Sequence, residues 1–245
     1  MARSSAKGVP SRLIGRRMRI VDLSYAIHGK LPRWPGDRRV FEAKTNATVE
    51  KKGYFTRSFW MLEHYGTHVD APAHFPPGKK TVDQIPPEKL LGPAVVIDVR
   101  KEARKNADYR LAMASVTLWE KRHGRIPRGA IVLLRTGWAA RWPDEKRYRN
   151  MDARGVMHSP GFSVEAVWLF IRRKVSGIGI DTMSVDYGAS RDFEVHTLSQ
   201  GAGLYHVENL ANLAALPESG AFLIVAPIKL AGGSGGPARV FAIPP

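Results

Sequence analysis

Short apolar runs recur along this chain, separated by polar and Gly/Pro-rich stretches. Residues 94–99 and 130–135 are near-continuous runs of Val, Ile, Leu and Ala, which predicts buried strands. Residues 177–181, 221–229 and 239–243 read as further strands, and 19–24 as a short first one. The β-branched and aromatic content of 40–48 and 54–62 predicts extended chain, the second stretch feeding directly into His64. Helical spacing is clearest over 163–174, where Val164, Val167, Trp168 and Ile171 recur behind Ser163, a natural N-cap. Residues 115–122 form a second expected helix, 82–91 a short helix or loop, and 196–201 a helical turn ended by Gly201 and Gly203. Residues 31–37 are a Pro/Gly loop. Strands with intervening helices, and no internal repeat or low-complexity linker, argue for one mixed α/β domain without a clean doubly wound order.

One stretch departs from this pattern. Residues 64–74 contain three of the chain's eight histidines together with Asp70. Imidazole and carboxylate are ligands for zinc, manganese and related ions. In a flat strand His64, His68, Asp70 and His74 would share a face, but at roughly 3.3 Å per residue His64 and His68 would stand about 13 Å apart. Gly66 weakens a helix here and Pro72 biases Ala71 away from one. The segment is therefore expected to curl at Gly66-Thr67 and bend again at Ala71-Pro72. A metal or catalytic site is the sharp reading, and a histidine cluster on a solvated loop is the bland one.

At these residues the chain resembles the cyclase family of metal-dependent hydrolases, which includes bacterial kynurenine formamidases and isatin hydrolases. His64, Gly66, Thr67, His68, Asp70, Pro72 and His74 match its signature H-x-G-T-H-x-D-x-P-x-H throughout. Downstream, His196 and Glu208, followed by Asn209-Leu210, match the family's histidine and glutamate twelve residues apart. Weaker matches at 21–24, 35–36, 134–138, 179–186 and 232–239 extend the resemblance from about residue 19 to the C-terminus.

The resemblance implies an α/β fold of the swivelling β/β/α type: a single domain over 19–245, with a mixed, barrel-like central sheet and outer helices. It implies His64, His68 and Asp70 as ligands of a first metal. Asp70, His196 and Glu208 are implied as ligands of a second in members that hold two, and His74 as the general acid/base. The implied cofactor is a divalent metal, zinc or manganese, as one or two ions. The implied reaction is hydrolysis of a carbonyl–nitrogen bond in a small amide, led by arylformamidase chemistry of the N-formylkynurenine type. A cyclic-amide hydrolase of the isatin type, or a lactone hydrolase, is the alternative. A homo-oligomer, dimer or tetramer, is also implied.

Composition narrows the remaining choices. The formal net charge is +16, and six basic residues, Arg3 to Arg19, precede the first acid, Asp22. Such a surface attracts polyanions and anionic substrates, but the charges are scattered and no nucleic-acid motif accompanies them. The expectation is a small-molecule amide substrate and no specific nucleic-acid partner. A basic binding protein with a structural metal is the non-enzyme alternative. The chain has no cysteine, which rules out disulfides and thiolate zinc sites and permits a reducing compartment. No membrane partner is expected, since no apolar run is long enough for a membrane-spanning helix; the expected location is cytoplasmic. Residues 1–18 read as a basic, disordered leader without a secretory h-region.

Several side chains near these motifs are weighed against plain structural roles. Trp34, Phe59 and Trp60 are candidates for an aromatic substrate pocket. Asp181 and Asp186 are candidates to orient ligand histidines, with capping or salt bridging an equal alternative. His206, two residues before Glu208, is a candidate neighbour of the metal that the family pattern does not require, and it ranks below the histidines that match the pattern; His28, His123 and His158 read as ordinary. The glycine-rich segment 232–237 lacks a phosphate-loop ending and reads as a turn near the site.

Overall fold

The computed structural model describes residues 19–245. The leader over 1–18, expected to be disordered, lies outside them.

Among the described residues the strands are β1 (Val21–Asp22), β2 (Phe41–Ala47), β3 (Thr56–Met61), β4 (His68–Asp70), β5 (Leu91–Asp98), β6 (Arg110–Leu111), β7 (Ile131–Arg135), β8 (Gly161–Phe162), β9 (Gly177–Ile180), β10 (Tyr205–Glu208), β11 (Phe222–Pro227) and β12 (Gly235–Ile243). The helices are α1 (Val49–Lys52), α2 (Arg100–Lys105), α3 (Met113–His123), α4 (Glu145–Arg149), α5 (Val164–Arg173) and α6 (Glu194–Gly201). The main sheet runs β1-β12-β11-β5-β7-β9-β10-β4, and a further β12–β4 pairing closes all but β1 into a barrel. Strands β5, β7, β9 and β10 are parallel neighbours, and β4, β11 and β12 pair antiparallel. The sheet is thus mixed and barrel-like with helices outside, as the resemblance implied.

The apolar runs have a physical reason. Ala94, Val96, Ile131 and Leu133 face a core shared with Val69, Tyr205, Val207, Leu223, Val225 and Val240, which is the barrel interior. The intervening Val95, Ile97, Val132 and Leu134 pack in a second core against Val116 and Trp119 of α3 and Ala166, Val167 and Phe170 of α5. Strands buried on both faces need apolar side chains at every position. Each fully buried Val, Leu or Ile contributes roughly 1.5–3 kcal/mol.

Differences from the sequence reading are local. Ser163 caps α5 by accepting from the Ala166 amide, as expected. The buried stripe, however, runs through Ala166, Val167 and Phe170, and Trp168 is 53% exposed. Segment 82–91 contains two 3-10 turns. The β6–β8 pair was not anticipated; two residues per strand carry no period. Strands β2 and β3 form a separate, mostly exposed antiparallel hairpin.

Candidate metal centre

The site grows from one register. On β4, Val69 faces the barrel interior, so His68 and Asp70 face the other way. On β10, Tyr205 and Val207 point inward, so His206 and Glu208 do not. Antiparallel pairing sets Asp70 opposite His206 and His68 opposite Glu208. Directly opposed side chains on one face start about 4.5–5.5 Å apart, so this register alone assembles four donors.

The chain reaches that register through the expected curl. Gly66 adopts φ +68, and Pro72–His74 form a 3-10 turn. On the far side of β4, Gly235 pairs with Asp70. A Cβ there would fall 2.5 Å from His64 Cε1 and from the Val69 carbonyl, so only glycine leaves room for the His64 ring.

Each imidazole is held from behind. His68 Nδ1 donates to the Gly66 carbonyl at 2.9 Å, which turns Nε2 toward Asp70 Oδ1 at 3.1 Å and Glu208 Oε2 at 3.7 Å. Asp186 accepts from the Val195 and His196 amides at the start of α6 and from His196 Nδ1 at 2.6 Å. His196 Nε2 is thereby aimed at Asp70 Oδ2 and Glu208 Oε1, at 3.4 and 3.5 Å. A carboxylate behind a histidine fixes tautomer and ring direction. His64 Nδ1 lies 2.6 Å from Asp70 Oδ1 and its Nε2 lies 2.9 Å from Ser234 Oγ, itself tied to Glu63. The His74 ring stacks on His64 at 4.0 Å.

The electrostatics converge on Asp70. The residue is 1% exposed, and its Oδ2 has no hydrogen-bond partner. Burial would raise its pKa, but the surrounding histidines, His64 foremost, hold the carboxyl well below the usual range. Burial opposes protonation of His68 and His196 too; facing carboxylates prevail, raising His68 to about 9 and His196 well above its ordinary value. His74 differs: burial, reinforced by His64, His196 and His68 against Asp70, pushes it down to about 4. It is a neutral imidazole at pH 7.

Even beside these histidines Asp70 Oδ2 has no hydrogen-bond partner, and leaving a buried acceptor unmet costs about 1–3 kcal/mol, more for a charged group. Nitrogen and oxygen donors without sulfur fit a divalent ion such as zinc or manganese. The ligand atoms of Asp70, His196, His206 and Glu208 lie within 4.8 Å of one another, all four residues buried; those of His64, Asp70 and His74 form a second such group. The chemistry of this donor set fits the metal that the sequence led us to expect.

The structure thus brings His64, His68, Asp70, His74, His196 and Glu208 to one place, at the base of a cleft of about 530 Å³. Trp34 lines the cleft. Phe59 and Trp60 do not: they sit on β3, 63% and 40% exposed, because that strand belongs to the outer hairpin and not to the barrel. Phe75 and Phe193 provide the aromatic lining instead, their rings 5.3 Å apart, with Phe193 6.1 Å from Trp34. Asp186 orients a histidine, as one of its two readings held. Asp181 does not; it accepts from the Thr136 amide and hydroxyl and the Gly137 amide, tying β7 to β9. His206 joins the donor group, its Nδ1 3.5 Å from Asp70 Oδ2. The period-2 alternation of Tyr205-His206-Val207-Glu208 was the signal, since it puts His206 on the face of Glu208. Glu63 and Ser234 carried no local sign of their role.

With this geometry in view, the likenesses to known proteins have a physical meaning. A family model described as Cyclase matches residues 21–187, which include the 64–74 segment. Isatin hydrolase from Roseibium aggregatum is 32% identical over 260 aligned residues, covering 100% of this chain and 98% of that protein. Kynurenine formamidase from Salinibacter ruber is 26% identical, covering 91% and 96%. Among solved structures, isatin hydrolase A from Labrenzia aggregata bound to benzyl benzoate superposes with a TM-score of 0.85 at 38% identity, covering 93% of this chain and 94% of that one. The family match spans well over half of the chain, and with full-length kinship to a hydrolase it establishes that this chain belongs to the Cyclase family.

Proposed function

We propose that this chain is a metal-dependent amidohydrolase that opens the carbonyl–nitrogen bond of a small amide with metal-activated water. The observation that carries the reading is the buried, ionised Asp70, its Oδ2 unpartnered, surrounded by aimed histidines at the base of an aromatic cleft. His64, His68, Asp70, His196 and Glu208 would hold zinc or manganese, as one or two ions. When bound, such an ion supplies an activated water near neutral pH and a Lewis acid for the carbonyl.

The chain's own groups do the rest. His74, a neutral base beside the donors, accepts a proton from the attacking water and delivers it to the departing nitrogen. Asp186 and the Gly66 carbonyl keep His196 and His68 from rotating away. Trp34, Phe75 and Phe193 clasp a flat substrate and exclude bulk water. Kinship favours a cyclic amide of the isatin type, since identity is 32% to an isatin hydrolase and 26% to a kynurenine formamidase. The same apparatus also serves an aryl formamide. A homo-oligomer suits the exposed aromatics of the β2–β3 hairpin, and a cytoplasmic location suits a cysteine-free chain.

The test is elemental analysis of purified protein, paired with turnover of isatin, N-formylkynurenine and a simple lactone. Metal bound in stoichiometric amount and turnover lost on chelation are expected. Full turnover in chelated, metal-free protein would refute the reading.

A further inference from the structure

Resting on the metal reading above, we propose that His206 is a fourth protein donor to the ion shared by Asp70, His196 and Glu208, and that it binds through Nδ1. Its neighbours decide which nitrogen carries the proton. Ser199 has a single hydroxyl proton, and the Val195 carbonyl accepts it at 2.5 Å. Ser199 Oγ must then accept from His206 Nε2–H, at 2.6 Å. Nδ1 is left with its lone pair.

Gln200 agrees independently. Its Oε1 accepts from the Phe75 amide at 3.1 Å, which turns the NH2 group toward His206 Nδ1 at 3.4 Å. At that length the contact leaves the lone pair free, but its polarity again makes Nδ1 an acceptor. Across from Nδ1, at 3.5 Å, lies the orphaned Asp70 Oδ2. A nitrogen lone pair and an ionised oxygen facing each other in a site with no exposed surface repel, since neither has a proton to share. A cation between them converts that repulsion into two attractions. The His196 ring completes the enclosure, edge-on to His206 at 4.7 Å.

The proposal separates a ligand from a packing residue. Full-length wild type, His206→Gln, Ser199→Ala and Asp70→Asn are compared for zinc affinity by competition with a chromogenic chelator. Copper-loaded samples are compared for imidazole count by pulsed EPR. The expected pattern is loss of at least about tenfold in affinity and of one imidazole in His206→Gln. Ser199→Ala should lose about tenfold through an unsteadied ring. Asp70→Asn should not bind. Wild-type affinity and imidazole count in His206→Gln would overturn the proposal while leaving the metal reading intact; wild-type affinity in Asp70→Asn would sink that reading itself. Should His206→Gln fail to fold, wild-type protein labelled with 15N-histidine decides the matter. Zinc should shift the His206 Nδ1 resonance, and an unmoved Nδ1 overturns the proposal.

Discussion

Two places in this fold set a histidine between carboxylates, and they do opposite things. At the barrel, His196 lies against Asp186, Asp70 and Glu208, with about 5% of its side chain exposed. On the surface, His158 lies 2.7 Å from Asp108 and 3.7 Å from Asp152, with 26% exposed. Both imidazoles are raised in pKa. On the surface His158 ties the 150–158 segment to the turn at Asp108; Asp108 Oδ1 has no protein partner either, but that side chain is 33% exposed where Asp70 is 1% exposed. In the barrel, protons on His68 and His196 still leave Asp70 Oδ2 without a partner. The same residue types make a clamp where the carboxylates keep a share of their surface in solvent, and an ion trap where they keep almost none.

The contrast breaks most completely at Asp70. Replacing it by Asn removes the charge that every barrel histidine faces, and both metal content and turnover should fall to background. Elemental analysis and steady-state assay check this. His74→Ala should lower kcat by about 10²–10⁴-fold while metal content stays at the wild-type level, because His74 acts on the proton and is not among the residues assigned to hold the ion. Asp186→Asn should weaken metal affinity by about 10–100-fold by releasing His196 from behind, measured by chelator competition.

The outer cluster should respond far less. Its segment follows α4, whose Arg149 donates to the Arg33 carbonyl at 2.7 Å and the Trp34 carbonyl at 3.2 Å, bracing one wall of the cleft. Arg149→Ala should raise KM several-fold with kcat nearly unchanged. His158→Gln should cost least, a Tm shift of no more than about 2–4 °C, as befits a surface pair. The sign follows from the raised pKa, caused first by the Asp108 hydrogen bond. His158 stabilises the fold fully below the ordinary imidazole value of about 6.5, and its contribution disappears as pH rises through the higher folded value. The Tm gap between wild type and variant should therefore be wider at pH 5.5 than at pH 9. A gap that widens with pH would contradict the clamp.

Much of this was legible without coordinates. The apolar runs at 94–99 and 130–135 mark buried strands because both faces must be covered. The 64–74 segment announces its curl because Gly66 and Pro72 permit neither helix nor straight strand. The outer hairpin was harder. Phe59 and Trp60 have the composition of a pocket wall, but whether β3 joins the barrel depends on pairings that local sequence does not encode. Trp168 misled for a similar reason: helical spacing defines a stripe, and the neighbour determines which edge of it is buried.

The amino-acid order by itself determined the inventory of donors. Imidazoles and carboxylates in a cysteine-free chain, brought close by a glycine and a proline, dictate the kind of ion that can be held. Only the tertiary structure decided which donors meet. The antiparallel register sets Asp70 against His206 and His68 against Glu208, and a slip of one residue in β4 would turn His68 and Asp70 into the apolar interior, away from His206 and Glu208. That choice is made by the barrel closing around Val69 and Val207, long-range apolar contacts that the spacing of histidines along the chain does not contain.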